Sequence, residues 1–297
     1  MGHMVRAAVY GFGNIGHAVL EALQASPDME VAGVVSGSLQ PGALGDIPVA
    51  KEIGELQGVD VAILCSPSRA VPDLAASLLA RGIRTADSFD IHSSVSEVHT
   101  RLDVVAKEHG TAAVMAAGWD PGSDSVVRAL LEAMAPNGIT YTNFGPGMSM
   151  GHTVAVKAIG GVKDALSMTI PLGTGIHRRM VYVELEPGAD FGKVSQAVKQ
   201  DPYFIHDETH VMQVEDVNAL KDMGHGVDLV RKGVSGKTHN QIMRYTMTIN
   251  NPALTGQILV AAARAACRQA PGCYTLIEVP PVDLLAGERA DWVHRLV

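Results

Sequence analysis

Through its first third the chain alternates short apolar runs with segments whose apolar residues recur at helical spacing. Residues 5–10, 31–35, 59–64, 83–87 and 112–116 read as strands. Helices are expected between or after them, over 14–25, 71–80, 95–109 and 125–135. The strands are rich in Val, Ile and Ala and show no polar alternation. Strands covered on both faces look like this, as in a parallel sheet. A strand–helix–strand rhythm closes by right-handed crossovers into a doubly wound sheet. The first domain is therefore expected to be α/β, over residues 4–120, with 270–297 packing back onto it.

Past about residue 136 the texture changes. Residues 181–186 and 244–249 alternate apolar with mostly polar positions, a period of two that marks strands with one wet or differently packed face. Pro187-Gly188 and Ser235-Gly236-Lys237 punctuate them as turns. Residues 252–268 read as a long Ala-rich helix ended by Pro271-Gly272. A second, α+β domain for substrate binding and dimerisation is expected over residues 121–269. The 297 residues leave room for both domains.

Charge and cysteine content narrow the function classes. Lys and Arg number 23 against 31 Asp and Glu, a net charge of -8, which argues against nucleic acid as a partner. The chain lacks an apolar stretch of the roughly 18 residues that a membrane span needs, and no signal peptide precedes the first strand. Met1-Gly2-His3-Met4 reads as a cloning scar. Cys65, Cys267 and Cys273 are spaced for neither zinc nor a disulfide framework, which fits a reducing cytoplasm.

Gly11-Phe12-Gly13-Asn14-Ile15-Gly16 follows the first expected strand and opens the first expected helix. That context turns a common glycine pattern into a dinucleotide-binding, Rossmann-type fingerprint. Gly11 permits the tight turn, Gly13 lets a pyrophosphate approach the backbone, and Gly16 lets helix and strand pack closely. Free N–H groups at the helix start meet the phosphate charge. An NAD site usually carries an acid at the end of the second strand, where this chain has Ser36-Gly37-Ser38. NADP is therefore favoured, with NAD as the alternative. No Arg or Lys adjoins that triplet in sequence. Arg69, in the turn after the strand at 59–64, is either a cofactor contact or a solvated arginine.

Ligands of doubly wound folds sit beyond the carboxyl ends of the strands. Those ends read Cys65-Ser66-Pro67-Ser68, Ser88-Phe89-Asp90-Ile91-His92 and Gly118-Trp119-Asp120-Pro121-Gly122. Asp90 and Asp120 thus stand at neighbouring strand ends, either as helix caps or as a site for an ammonium group beside Trp119. Cys65 is expected to be a small buried thiol rather than a nucleophile. His206 and His210 have helical metal-pair spacing, but the intervening residues do not make HExxH, so no metal is expected.

Beyond these local readings, nearly the whole chain resembles the meso-diaminopimelate dehydrogenase family. The resemblance rests on residues 10–16, 87–92, 117–122, 142–152 and 250–253, among which Ala117-Gly118-Trp119-Asp120-Pro121-Gly122 and Thr142-Asn143-Phe144-Gly145-Pro146-Gly147-Met148-Ser149-Met150-Gly151-His152 are long and unusual. It implies NADP-dependent oxidative deamination at the D-centre of meso-2,6-diaminopimelate, giving L-2-amino-6-oxopimelate and ammonia. The reverse reaction would feed lysine synthesis, and a cytoplasmic homodimer is implied. By motif, Asp90 and Asp120 would be the catalytic partners of the D-amino group, with Trp119 and Phe144 forming the wall. Met150 and Gly151 would meet the D-carboxylate. Thr169, Arg179, His225 and Asn251 would hold the distal L-amino-acid end, with Arg178 as the rival to Arg179. Phe12, Asn14, Ile15, Ser36, Gly37, Ser38, Cys65, Ser66, Pro67, Ser68, Ser88, Phe89, Ala117, Gly118, Trp119 and Pro121 match the family's cofactor loops.

Overall fold

The computed structural model describes residues 4–221 and 224–297. It divides into two compact units. One takes the chain up to Val127 together with Pro252–Val297, and the other is Arg128–Asn251.

The first unit is built on β1 (Val5–Tyr10), β2 (Met29–Val35), β3 (Val49–Ala50), β4 (Val61–Leu64), β5 (Arg84–Asp87), β6 (Ala112–Val114) and, late in the chain, β14 (Gly272–Tyr274). They form one sheet in the order β14-β6-β5-β4-β1-β2-β3, parallel at every step. The alternating side chains of β1 explain its two dry faces. Ala7 and Val9 join α1 (Asn14–Gln24) and α7 (Asn251–Ala266) in one apolar layer. Ala8 turns to the other layer, with α2 (Val71–Leu79) and α3 (Val95–Glu108). All four residues of β4 are buried, as expected of a strand without polar alternation. The α/β doubly wound expectation is met.

Helix α7 contributes Leu259, Val260, Ala262, Ala263, Ala265 and Ala266 to the first layer, so it belongs with this unit. The sequence reading had placed it in the second domain. Nothing local signals the return, because an Ala-rich helix looks alike beside either sheet. Buried Arg264 anchors it: Nε lies 2.6 Å and Nη2 2.8 Å from the Asp28 carboxylate. Burial alone would raise the Asp28 pKa, but the Arg264 hydrogen bonds and charge outweigh it and hold the carboxyl below its ordinary value.

The second unit holds two sheets. β7 (Asn137–Phe144), β12 (Gly224–Ser235) and β13 (Thr238–Asn250) form an antiparallel sheet with β12 central. The other runs β11-β10-β9-β8, from β8 (Gly147–Met148), β9 (Val162–Gly173), β10 (Ile176–Leu185) and β11 (Glu208–Gln213), parallel only between β10 and β11. α5 (Met150–Lys157) and α6 (Phe191–Gln200) cover it through Val156, Val194 and Val198. α4 (Ser123–Met134) spans the boundary residue of the two units, and α8 (Arg289–Leu296) ends the chain.

Candidate active site

In the first unit the loops expected to meet the cofactor follow the ends of parallel strands. Gly11 has φ +97°, and a Cβ there would lie 2.8 Å from the Cys65 carbonyl oxygen. At Gly16 a Cβ would lie 2.3 Å from the Gly11 carbonyl oxygen, so α1 can pack here only on a glycine. Gly13 has no heavy atom within 4 Å of such a position, leaving an open backbone cradle. No side chain caps α1 and no acid sits in its first turn, so its leading N–H groups suit an anion. The chain's residues thus fit a dinucleotide pyrophosphate.

At the end of β2, Ser36 Oγ accepts from the N–H groups of Ser38 and Leu39, both at 3.3 Å. The loop also wraps a cation that sequence adjacency did not reveal. Lys51 Nζ donates to the carbonyls of Ser36, Gly37 and Leu39 at 3.4, 3.0 and 2.6 Å. Lys51 follows β3, and β3 pairs with the end of β2, so sheet topology puts this charge beneath the triplet. Arg69 is exposed in a single helical turn over Ser68–Ala70.

Asp90 and Asp120 follow β5 and β6. Ser68 Oγ donates to Asp90 Oδ1 at 2.6 Å and accepts from Asp90 N–H at 3.4 Å, stitching the loop after β4 to the loop after β5. Both acids are half-buried, while Trp119 is buried beside Asp120. Phe89 is 1% exposed and its ring packs in the core, so only its main chain faces the loop surface. Ala117 and Gly118 are likewise buried, and Ser88, Ser66 and Pro121 keep partial exposure. Burial pushes the Cys65 thiol up to about 12, which leaves almost no thiolate for nucleophilic chemistry.

Asp87 is the last residue of β5, and sequence reasoning gave it no role. It is fully buried, and its Oδ1 accepts from Phe89 N–H at 2.9 Å and Ala116 N–H at 3.1 Å. Burial pushes its carboxyl up to about 6, against the pull of those two amides. Ala116 sits at φ +49°, a left-handed conformation that costs a non-glycine residue roughly 1 kcal/mol.

In the second unit, antiparallel register sets Thr169 of β9 opposite Arg179 of β10. Arg179 Nη1 donates to Thr169 Oγ1, and its Nε donates to Asp207 Oδ2 at 2.6 Å. Thr169 is fully buried, and the Arg179 side chain is 12% exposed. Arg178 points to the opposite face, where it makes an exposed pair with Glu208 at 2.9 and 3.1 Å. Strand alternation therefore separates the two arginines, and Arg179 alone adjoins Thr169.

His177 is two residues from Arg179 and shares its face; the period of two was available to find it, and sequence reasoning missed it. Its Nε2 accepts the Phe144 N–H at 2.8 Å, which puts the ring proton on Nδ1. Burial, and then the Arg179 charge, lower its pKa, so the neutral ring is favoured. The Phe144 ring centroid lies 5.5 Å from this imidazole and 5.6 Å from the Arg128 guanidinium. His225 is buried, and the Gly226 N–H approaches its Nδ1 at 2.7 Å. Burial lowers its pKa too, with Arg179 and His177 adding to the effect. Asn251 is 6% exposed at the first position of α7.

The segment before α5 is pinned by close approaches. A Cβ on Gly145 would lie 2.2 Å from the Thr169 carbonyl oxygen, and one on Gly147 would lie 2.2 Å from that of Gly224. Met150 and Gly151 open α5, whose cap residue Ser149 makes no side-chain cap bond to the helix backbone. As first-turn residues their N–H groups have no acceptor within the helix. His210 lies in β11 and His206 in the turn before it, so the helical spacing does not arise. Among the described residues no His, Cys, Asp and Glu group is arranged for a metal.

Comparison with known proteins agrees with this geometry. Residues 118–176 match the diaminopimelic acid dehydrogenase C-terminal domain model. The chain is 63% identical over 296 residues to the meso-diaminopimelate D-dehydrogenase of Bacteroides fragilis, covering 99% of each chain. It superposes on the C. glutamicum DAP dehydrogenase solved in complex with DAP at a TM-score of 0.90, with 27% identity and all of both chains covered. An engineered D-amino acid dehydrogenase bound to NADP+ gives 0.88, with 26% identity and 99% of each chain. Near-complete coverage at that identity, together with the glycine turn and the paired strand-end acids, makes the chain a member of the meso-diaminopimelate D-dehydrogenase family.

Proposed function

We propose that the protein oxidises the D-centre of meso-2,6-diaminopimelate with NADP, releasing ammonia and L-2-amino-6-oxopimelate, and runs in reverse as a reductive amination for lysine synthesis in the cytoplasm. The observation that carries this reading is that Asp90 and Asp120 lie in the loops after the neighbouring parallel strands β5 and β6, at the carboxyl edge of the sheet from which the Gly11–Gly16 turn also leaves. When bound, the nicotinamide supplies the hydride acceptor. The protein's own residues handle the proton and the charge, and a water molecule then adds to the C=N carbon, supplying the keto oxygen as ammonia leaves. Hydride can leave Cα only once the nitrogen lone pair is free, so the ammonium must first lose a proton. Asp90, or a water it holds, takes that proton. The Ser68 hydroxyl at 2.6 Å fixes the rotamer in which it does so. Asp120 orients the nitrogen and steadies the positive charge that develops there.

The α5 N–H groups at Met150 and Gly151 suit the D-carboxylate. Thr169, Arg179, His225 and Asn251 suit the distal L-amino-acid end, with the Arg179 fork matched to a carboxylate. Asp207, already bonded to Arg179 at 2.6 Å, fixes the direction of that fork. For the cofactor, the engineered relative bound to NADP+ and the Lys51 ammonium beneath Ser36-Gly37-Ser38 both favour a 2′-phosphate. A homodimer fits the outer face of the β7-β12-β13 sheet, where Ile139 and Ile242 lie in one cross-strand row and are 58% and 66% exposed. Sedimentation equilibrium reads that state directly.

Asp120→Asn is expected to cut turnover on the order of 100-fold, with little change in NADP affinity. Equal losses in turnover and in cofactor affinity would show that Asp120 merely supports its loop.

A further inference from the structure

The loops that carry Asp90 and Asp120 follow neighbouring strands, β5 and β6, and a third acid, Asp87, bonds to the main chain of both. Asp87 takes the Phe89 N–H, one residue before Asp90, and the Ala116 N–H, four residues before Asp120, on a single carboxylate oxygen at 2.9 and 3.1 Å. Its main-chain carbonyl accepts the Ala117 N–H at 2.7 Å. Oδ2 has no hydrogen-bond partner among the described residues, and the residue is wholly buried. A carboxylate buried with one oxygen unpaired is a poor choice for stability alone. Beside it, Ala116 is held at φ +49°, where its N–H can reach that oxygen. Strain and an acid with one unpaired oxygen therefore meet at a point where the two loops touch.

From this juxtaposition we propose that Asp87 is a positioning residue for the deamination, fastening the Asp90 and Asp120 loops into a single unit. The proposal rests on the reading that those two acids handle the amino group. Charge-assisted bonds from one oxygen to two amides resist sliding of either loop relative to the other. A misplacement of about 1 Å at a reacting centre is enough to cost on the order of 100-fold in rate.

The test compares Asp87→Ala and Asp87→Asn with the wild type. It reads NADP+ affinity by calorimetry, KM for meso-2,6-diaminopimelate, and turnover per cofactor-binding site. Asp87→Ala is expected to lose about 100-fold in turnover per site, while NADP+ affinity changes by less than about tenfold, because the Gly11–Gly16 turn is untouched. Asp87→Asn keeps an oxygen that accepts both amides and is expected to recover most of the turnover. In an Asp120→Asn background, Asp87→Ala should cost only about threefold more, since the two act as one unit. Should the alanine variant not fold, Asp87→Ser, too short to span both amides, is expected to lose about tenfold.

Wild-type turnover per site in Asp87→Ala, or in Asp87→Ser where the alanine variant does not fold, would overturn the proposal. So would an asparagine variant as damaged as the alanine one. Asp90→Asn and Asp120→Asn are measured alongside. If both keep full turnover, the reading of the two acids fails. If they lose it and Asp87→Ala does not, only the role of Asp87 fails.

Discussion

Asp87 titrates in the direction opposite to most carboxylates. Its folded pKa, about 6, lies above the roughly 3.9 of an unfolded aspartate. Between those values the native protein binds the proton more tightly than the unfolded chain does, so this group's contribution to stability falls as pH rises from about 4 to about 6. The penalty is fully present above that window and amounts to about 3 kcal/mol. Asp87→Asn has no such titration. Its unfolding free energy relative to wild type should therefore improve by about that amount between pH 4 and pH 7 in denaturant melts. A difference that stays flat across the window would show that the buried carboxyl is not perturbed. Asp87 illustrates what one chain does and does not disclose about single residues. An acid ending an apolar strand was visible, but that one oxygen bonds to two loops follows from their tertiary approach. His177 went unread although it shares the period-two face of Arg179, a signal that was there to find it.

Among the elements, the parallel strands and their helices were legible because burial on both faces leaves unbroken Val, Ile and Ala runs. Strand β12 was not, since Gly224, Gly226 and Gly233 interrupt its pattern, and a Cβ on Gly226 would sit 2.7 Å from the Met247 carbonyl oxygen. Its glycines serve close strand approach, which looks like loop composition in one dimension. The two-residue strand β3 was also missed, and with it the position of Lys51. At this scale the Ser36–Ser38 loop makes a prediction. Lys51→Met removes the cation and the three carbonyl bonds together, and should weaken NADP+ binding by roughly tenfold while weakening NAD+ binding less. Calorimetric titration with each cofactor checks it. Equal weakening of both would assign Lys51 to loop architecture alone.

For the molecule as a whole, the chain builds most of the first unit, leaves it for the second, and returns through α7 to complete the first core. The first unit was readable apart from α7, since residues 270–297 were expected to pack back onto it while α7 was assigned to the second domain. The return itself depends on which sheet the apolar face of α7 covers, and a single helix does not state that. The candidate site divides in the same way. The Gly11–Gly16 turn and the strand-end acids were deducible from fold rules, whereas Thr169, Arg179, His225 and Asn251 came from family resemblance. The structure then brings Thr169 and Arg179 together by register.

The most direct measurement is the initial rate of NADPH formation with the meso, LL and simple D-amino-acid substrates at equal concentration, with NADP and NAD run in parallel. Rapid reduction of NADP by meso-2,6-diaminopimelate is expected, with no reaction of the LL isomer and a kcat/KM for D-alanine at least about 100-fold lower for want of a distal carboxylate. An LL isomer that reacts as fast as the meso compound, or a D-alanine that matches it, would contradict the account.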